Sequence, residues 1–119
     1  MALPGTPETV GAIGADEIAC MRSNAFLINI ARGFVLVESE LIKALQTGAI
    51  AGAMLDVFEK EPLPQDSPLW YLPNVIVTPH SAGFPENYAG RVFSVFADNI
   101  DRYLQGQPLK NVVNMSRGY

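Results

Sequence analysis

The chain has 119 residues, 49% of them hydrophobic and 17% charged, with a formal net charge of −4. That length suffices for one domain with its own core, and the apolar balance is that of a parallel sheet with helices on both faces. The acidic balance lacks the basic footprint of a nucleic-acid binder, and no run reaches the roughly 18 apolar residues of a membrane span. The N-terminus, Met1 to Gly5, has neither the basic region nor the apolar stretch of a signal peptide. Cys20 is the only cysteine, so there is no internal disulfide and no Cys/His cluster for zinc. A buried, reduced thiol in a cytoplasmic protein is expected, with no metal.

Residues 2–7 read as the tail of a strand entering a turn, because two prolines and a glycine forbid a helix there. Ala15 to Met21 reads as a short helix, with Ile13, Ile18 and Met21 near helical spacing and Asp16 and Glu17 in the first turn. Ala25 to Ile30 is a short apolar run suited to a buried strand, broken by Gly33. Glu38 to Gln46 is a helix with Leu41, Ala44 and Leu45 on one face, and Gly48 terminates it. Ala51 to Phe58 is the second strand. A loop with Pro62, Pro64, Pro68 and Pro73 follows, then a third strand over Val75–Thr78. The last helix runs from about Pro85 to Leu104, with Pro85 at its start and Gly106 at its stop. Pro108 to Tyr119 carries no element. Alternating strands and helices imply parallel strands joined by crossovers. The fold class is therefore α/β, the second half of a doubly wound, Rossmann-like sheet with a long C-terminal helix.

Three phrases end the three strands: Asn-Ile-Ala-Arg-Gly at 29–33, Asp-Val-Phe-Glu-Lys-Glu-Pro at 56–62 and Thr-Pro-His at 78–80. Ligands bind at the carboxyl edge of an open α/β sheet, so Arg32, Glu61 and His80 are expected to meet there. His80 is the only histidine, and histidine alone titrates unperturbed near neutral pH. The small residues Ser81, Ala82 and Gly83 after it allow close approach to the backbone. A carboxylate beside the imidazole would favour its charged form; Glu59 and Glu61 flank Lys60, and either could turn inward. Arg32 could grip a carboxylate with two parallel hydrogen bonds. Asp56 closes an apolar run, where a carboxylate is costly unless paired or bound to a ligand amide or hydroxyl. Such a set suits interconversion of a 2-keto and a 2-hydroxy acid, with the hydride from a cofactor, since no side chain supplies one.

These phrases, with Leu-Pro-Gly-Thr-Pro-Glu-Thr at 3–9, Ser-Pro-Leu-Trp at 67–70 and Pro-Leu-Lys-Asn-Val-Val-Asn at 108–114, closely resemble the D-isomer-specific 2-hydroxyacid dehydrogenase family. The resemblance covers essentially the whole chain. It implies that Arg32 binds substrate, that His80 is the acid/base and that Glu61 is its carboxylate partner. It implies cofactor-lining roles for Thr6, Ile30, Ala31, Arg32, His80, Ser81, Ala82 and Gly83. Asp56 matches the residue that contacts the nicotinamide carboxamide. The implied cofactor is NAD or NADP, and the implied substrate a small 2-keto or 2-hydroxy acid of the glyoxylate or hydroxypyruvate type. Formate dehydrogenases resemble the family but carry Gln where Glu61 stands.

Departures from the family pattern set further expectations. The Gly-x-Gly-x-x-Gly fingerprint and the early substrate-binding part are absent, as in a C-terminal third or so of a family chain that starts inside the Leu-Pro-x-Thr strand. Residues 1–107 are expected to form the second half of the dinucleotide-binding domain, and 108–119 a tail returning to the substrate domain. Without the glycine turn and its helix N-terminus, the chain alone should bind dinucleotide weakly and turn over no substrate. A non-enzymatic, corepressor-like or self-associating binding module on the same scaffold is the alternative. Half a sheet exposes a strand edge and apolar helix surface, so a homo-oligomer is expected. Val37 stands where the family has a capping Asp, a loss Ser39 could offset. Ser23-Asn24 replaces a Pro-Gly turn, with Asn suited to a left-handed residue.

Overall fold

The computed structural model describes residues 1–119. It divides into two compact units, Met1–Ala82 and Gly83–Tyr119.

In the first unit, β1 (Phe26–Asn29), β2 (Gly52–Leu55) and β3 (Val75–Val77) form one parallel sheet in the order β1-β2-β3. Helix α1 (Ala15–Ala19) precedes β1, and α2 (Glu38–Thr47) joins β1 to β2. Asn29 pairs with Leu55 and Leu55 with Val77, so all three strands end in one row. This register brings the three phrases to a common edge, as the sequence implies.

Each strand is shorter than expected, because the chain leaves the ladder early to build turns at that edge. β2 ends at Leu55 rather than Phe58, and the Phe58 N–H donates to the Glu61 carboxylate instead of to a strand (3.0 Å). No strand runs over 2–7; Pro7–Thr9 is a 3-10 turn. Only Met1 lies beside β1, its amine on the Ile28 carbonyl and its own carbonyl accepting from the Ile30 N–H.

One face of the sheet is dry. Leu27, Ala53 and Leu55 share a buried cluster with Ile18 of α1 and with Leu41, Ala44 and Leu45 of α2. Helix α2 stops at Gly48, whose φ of 68° is the left-handed cap that glycine adopts without Cβ strain. The opposite face carries Phe26, Ile28, Met54 and Ile76, all exposed. The expected cover on both faces is therefore not met within this unit. Its two α-helices, α1 and α2, join the Leu27–Leu55 side, and no helix follows β3 before Ala82.

Two smaller expectations also change. Cys20 is exposed, not buried: α1 is a single turn that spends its one inward position on Ile18 and ends with Cys20 as its outer cap. The turn at Ser23-Asn24 forms, with the Ala25 N–H on the Arg22 carbonyl (2.9 Å), but without a left-handed asparagine.

The second unit is α3 (Tyr88–Leu104) and an irregular tail. The helix starts three residues after Pro85 because Asn87, at φ 60°, interrupts the helical path before Tyr88. Gly106 follows its end at φ 67°. Lys110 fastens the tail to the helix, pairing with Asp98 (2.9 Å) and donating its N–H to Asn99 (2.8 Å). No helix in the chain is long and apolar enough to cross a membrane.

Candidate active site

The turn after β1 is built around Asn29, which is fully buried. Its Oδ1 accepts from the Ala31 N–H (3.0 Å), and its Nδ2 donates to the Arg32 carbonyl (3.1 Å). This Asx-type arrangement fixes Ile30, Ala31 and Arg32 at the strand end. Arg32 is exposed, with Nη1 on the Ala31 carbonyl (2.7 Å). The next residue must be glycine: a Cβ on Gly33 would lie 1.8 Å from the Phe58 carbonyl oxygen and 2.5 Å from the Glu59 nitrogen. The Arg32 turn and the 58–61 loop are thus in backbone contact. The Thr6 loop is close by too, since a Cβ on Gly5 would meet the Arg32 side chain at 3.1 Å. Thr6 itself is buried and opens the Pro7–Thr9 turn.

The structure decides which carboxylate turns inward. Glu59 accepts from the Glu38 N–H at the start of α2 (2.9 Å), while Glu38 accepts from the Glu59 N–H (3.2 Å). Glu59 therefore caps α2, offsetting the loss that Ser39 was expected to be able to offset, because Val37 at the N-cap offers no side-chain acceptor. Burial raises the Glu38 pKa, against the opposing pull of the Glu59 N–H. Glu61 is left to face the histidine.

His80 Nδ1 lies 2.7 Å from Glu61 Oε2, and Glu61 Oε1 takes the Phe58 N–H. Burial works against the Glu61 charge, yet the His80 hydrogen bond, the Phe58 N–H and the charges of His80 and Arg32 together hold its carboxyl below the ordinary range. An ionised carboxylate only accepts, so Nδ1 must carry the proton of this bond. Nε2 is then the nitrogen free to exchange a proton with a ligand. Beside the pair is a cavity of about 710 Å³, walled by Phe58, Leu63, Trp70 and Val77.

Asp56 is 2% exposed, and its hydrogen bonds all come from residues 78–82. Oδ1 accepts from Thr78 Oγ1 (2.6 Å) and the Ser81 N–H (2.9 Å), and Oδ2 accepts from the Ala82 N–H (2.9 Å). Burial again opposes the charge, and these three donors with His80 nearby still lower its pKa.

Of the residues singled out in the sequence, Arg32, Glu61, His80, Asp56, Ser81 and Ala82 gather at the sheet edge with Ile30 and Ala31. Gly83 opens the second unit. Asn29 and Glu59 were missed as organisers of the site. An asparagine closing an apolar run just before Ala-Arg-Gly was the available signal for the first. No local pattern marks the second, since it caps a helix from 21 residues away. No cluster of metal-ligating side chains is present.

The carboxyl edge of a parallel α/β sheet thus presents a hydrogen-bonded Glu61–His80 pair with the Arg32 charge close to the carboxylate. The sequence model of the D-isomer specific 2-hydroxyacid dehydrogenase NAD-binding domain matches residues 1–82, and the chain belongs to that family. Glyoxylate/hydroxypyruvate reductase A of Escherichia fergusonii is 44% identical over 117 residues, covering 98% of this chain and 37% of its own length. The chain thus spans little more than a third of that relative. A D-isomer specific 2-hydroxyacid dehydrogenase from Xanthobacter autotrophicus Py2, solved with NADPH and MES, superposes with a TM-score of 0.91 at 47% identity, covering 99% of this chain and 48% of that one. An NADPH-dependent glyoxylate/hydroxypyruvate reductase from Sinorhizobium meliloti, solved with NADP and sulfate, gives 0.90 at 38% identity over 99% of this chain and 38% of that one.

The residues present fit one end of a dinucleotide. Asp56 Oδ2 has a single donor, leaving a lone pair for a ligand amide. The sequence contains no Gly-x-Gly-x-x-Gly to cradle a pyrophosphate.

Proposed function

We propose that this chain is the proton-transferring and carboxylate-binding portion of an NAD(P)H-dependent 2-keto acid reductase of the glyoxylate or hydroxypyruvate type. The observation that carries this reading is the 2.7 Å bond between His80 Nδ1 and Glu61 at the carboxyl edge of the sheet. The bound nicotinamide would supply the hydride. Arg32 holds the substrate carboxylate. As the carbonyl carbon is reduced, His80 gives the Nε2 proton to the oxygen, and Glu61 orients the ring through Nδ1. In the oxidative direction His80 takes that proton back. Asp56, Thr6, the backbone of Ile30–Arg32 and residues 81–83 line the nicotinamide end, and 108–119 return toward a substrate-binding part. No role for nucleic acid or membrane enters this reading, and the location is cytoplasmic.

Alone, the chain binds the dinucleotide weakly and turns over no substrate, because the pyrophosphate has no glycine turn. NADPH titration, with a glyoxylate and hydroxypyruvate reductase assay on the 119-residue chain, tests this; robust turnover would overturn it. The exposed face of Phe26, Ile28, Met54 and Ile76 favours self-association and supports a second reading, a non-enzymatic binding module that works as a homo-oligomer.

A further inference from the structure

His80 has a φ of 53°, in the left-handed region that a non-glycine residue occupies only when its surroundings enforce it. The neighbouring bonds show what enforces it. Asp56 takes a donor on one side of His80, the Thr78 hydroxyl, and two on the other, the Ser81 and Ala82 N–H groups. Residues 78–82 are thereby wrapped around one buried carboxylate, with His80 at the crest of the loop. The crest is otherwise unsupported: His80 itself is about half exposed, and its single side-chain bond is to Glu61. A carboxylate is costly to bury unless its oxygens are satisfied, and here the hydrogen bonds that satisfy them come only from the loop they organise.

We propose that Asp56 is a positioning residue that builds the His80 turn, holding the backbone on both flanks so that the imidazole meets Glu61. This rests on His80 as the proton-transferring group, and it gives Asp56 a task before any ligand arrives. The chemistry of the clamp explains why a carboxylate is needed. Asparagine has one acceptor oxygen and an amide that donates, so it can hold Thr78 and Ser81 but faces the Ala82 N–H with another donor.

Amide exchange and carboxyl titration by NMR on the cofactor-free chain test the proposal. In Asp56→Asn, exchange at Ala82 should rise at least tenfold while the β2 amides keep their rates. The Glu61 carboxyl should also titrate at higher pH as His80 turns away. Thr78→Val removes one donor without touching the carboxylate; it should speed Ser81 exchange and move the Glu61 titration in the same direction by less. A general loss of stability would accelerate the strand amides equally and leave the Glu61–His80 pair intact. Unmoved Ala82 exchange or an unmoved Glu61 titration in Asp56→Asn overturns the proposal. If that variant does not fold, an unmoved Glu61 titration in Thr78→Val does so. None of these readouts involves turnover, so failure of the clamp is separable from failure of the reductase reading.

Discussion

Replacing Gly33 with alanine should cost more than any other single-methyl change at the site. The added Cβ would sit 1.8 Å from the Phe58 oxygen and 1.9 Å from its carbonyl carbon. Ordinary carbon contacts begin near 3.5 Å, so the Arg32 turn and the 58–61 loop must part by about 1.5 Å. Both are pinned, the first by Asn29 and the second by the reciprocal Glu38–Glu59 bonds. Overpacking costs about 1–3 kcal/mol, and because both clashing partners are backbone the upper end applies, about 3 kcal/mol. For a unit of this size that lowers Tm by roughly 12–24 °C. Gly48→Ala is the control. It has open space around it but a φ of 68°, so it should cost roughly 1 kcal/mol through backbone strain alone. Urea unfolding followed by circular dichroism measures both. A Gly33→Ala protein within about 0.5 kcal/mol of the parent would refute the close approach.

Other expectations follow from the same contacts. Glu59→Ala should lose about 1 kcal/mol in urea unfolding by uncapping α2, and Glu59→Gln, which keeps an acceptor, much less; equal losses would mean that the cap is not the reason. Asp56 and Glu61 are both held below their ordinary values of 3.8 and 4.5. A depressed carboxylate stabilises the fold above its unfolded pKa and loses that contribution as pH falls through the folded one. Stability should therefore hold down to about pH 4.5 and then decline, with a shallower decline in Glu61→Gln; Glu38, raised by burial, acts in the opposite sense. Sedimentation equilibrium should show association that weakens in an Ile28→Lys/Ile76→Lys variant, and a monomer at high concentration in the parent would contradict the exposed face as its cause.

What could be read from the sequence was what is local. Apolar runs broken by Gly33 or Pro79 mark strand ends, and the residues just beyond them are placed by the sheet itself. Arg32, Glu61 and His80 followed from that, and Gly48 from its left-handed cap. What acts across the chain left no local trace. Glu59 reaches α2 from another loop, and its choice of partner leaves Glu61 for the histidine. The start of α3 depends on the conformation of Asn87 rather than on Pro85. The bare sheet face follows from where both helices of the unit pack, which periodicity does not encode.

The most direct measurement uses a chimera. This chain would replace the matching segment of the Escherichia fergusonii reductase, which is 44% identical over 117 residues. The chimera should reduce glyoxylate with NADPH, and His80→Ala within it should lower kcat by about 10²–10⁴, the usual contribution of a positioned general acid. A folded chimera that reduces glyoxylate equally well with and without the His80 imidazole would contradict the assignment of this edge as the proton-transferring site.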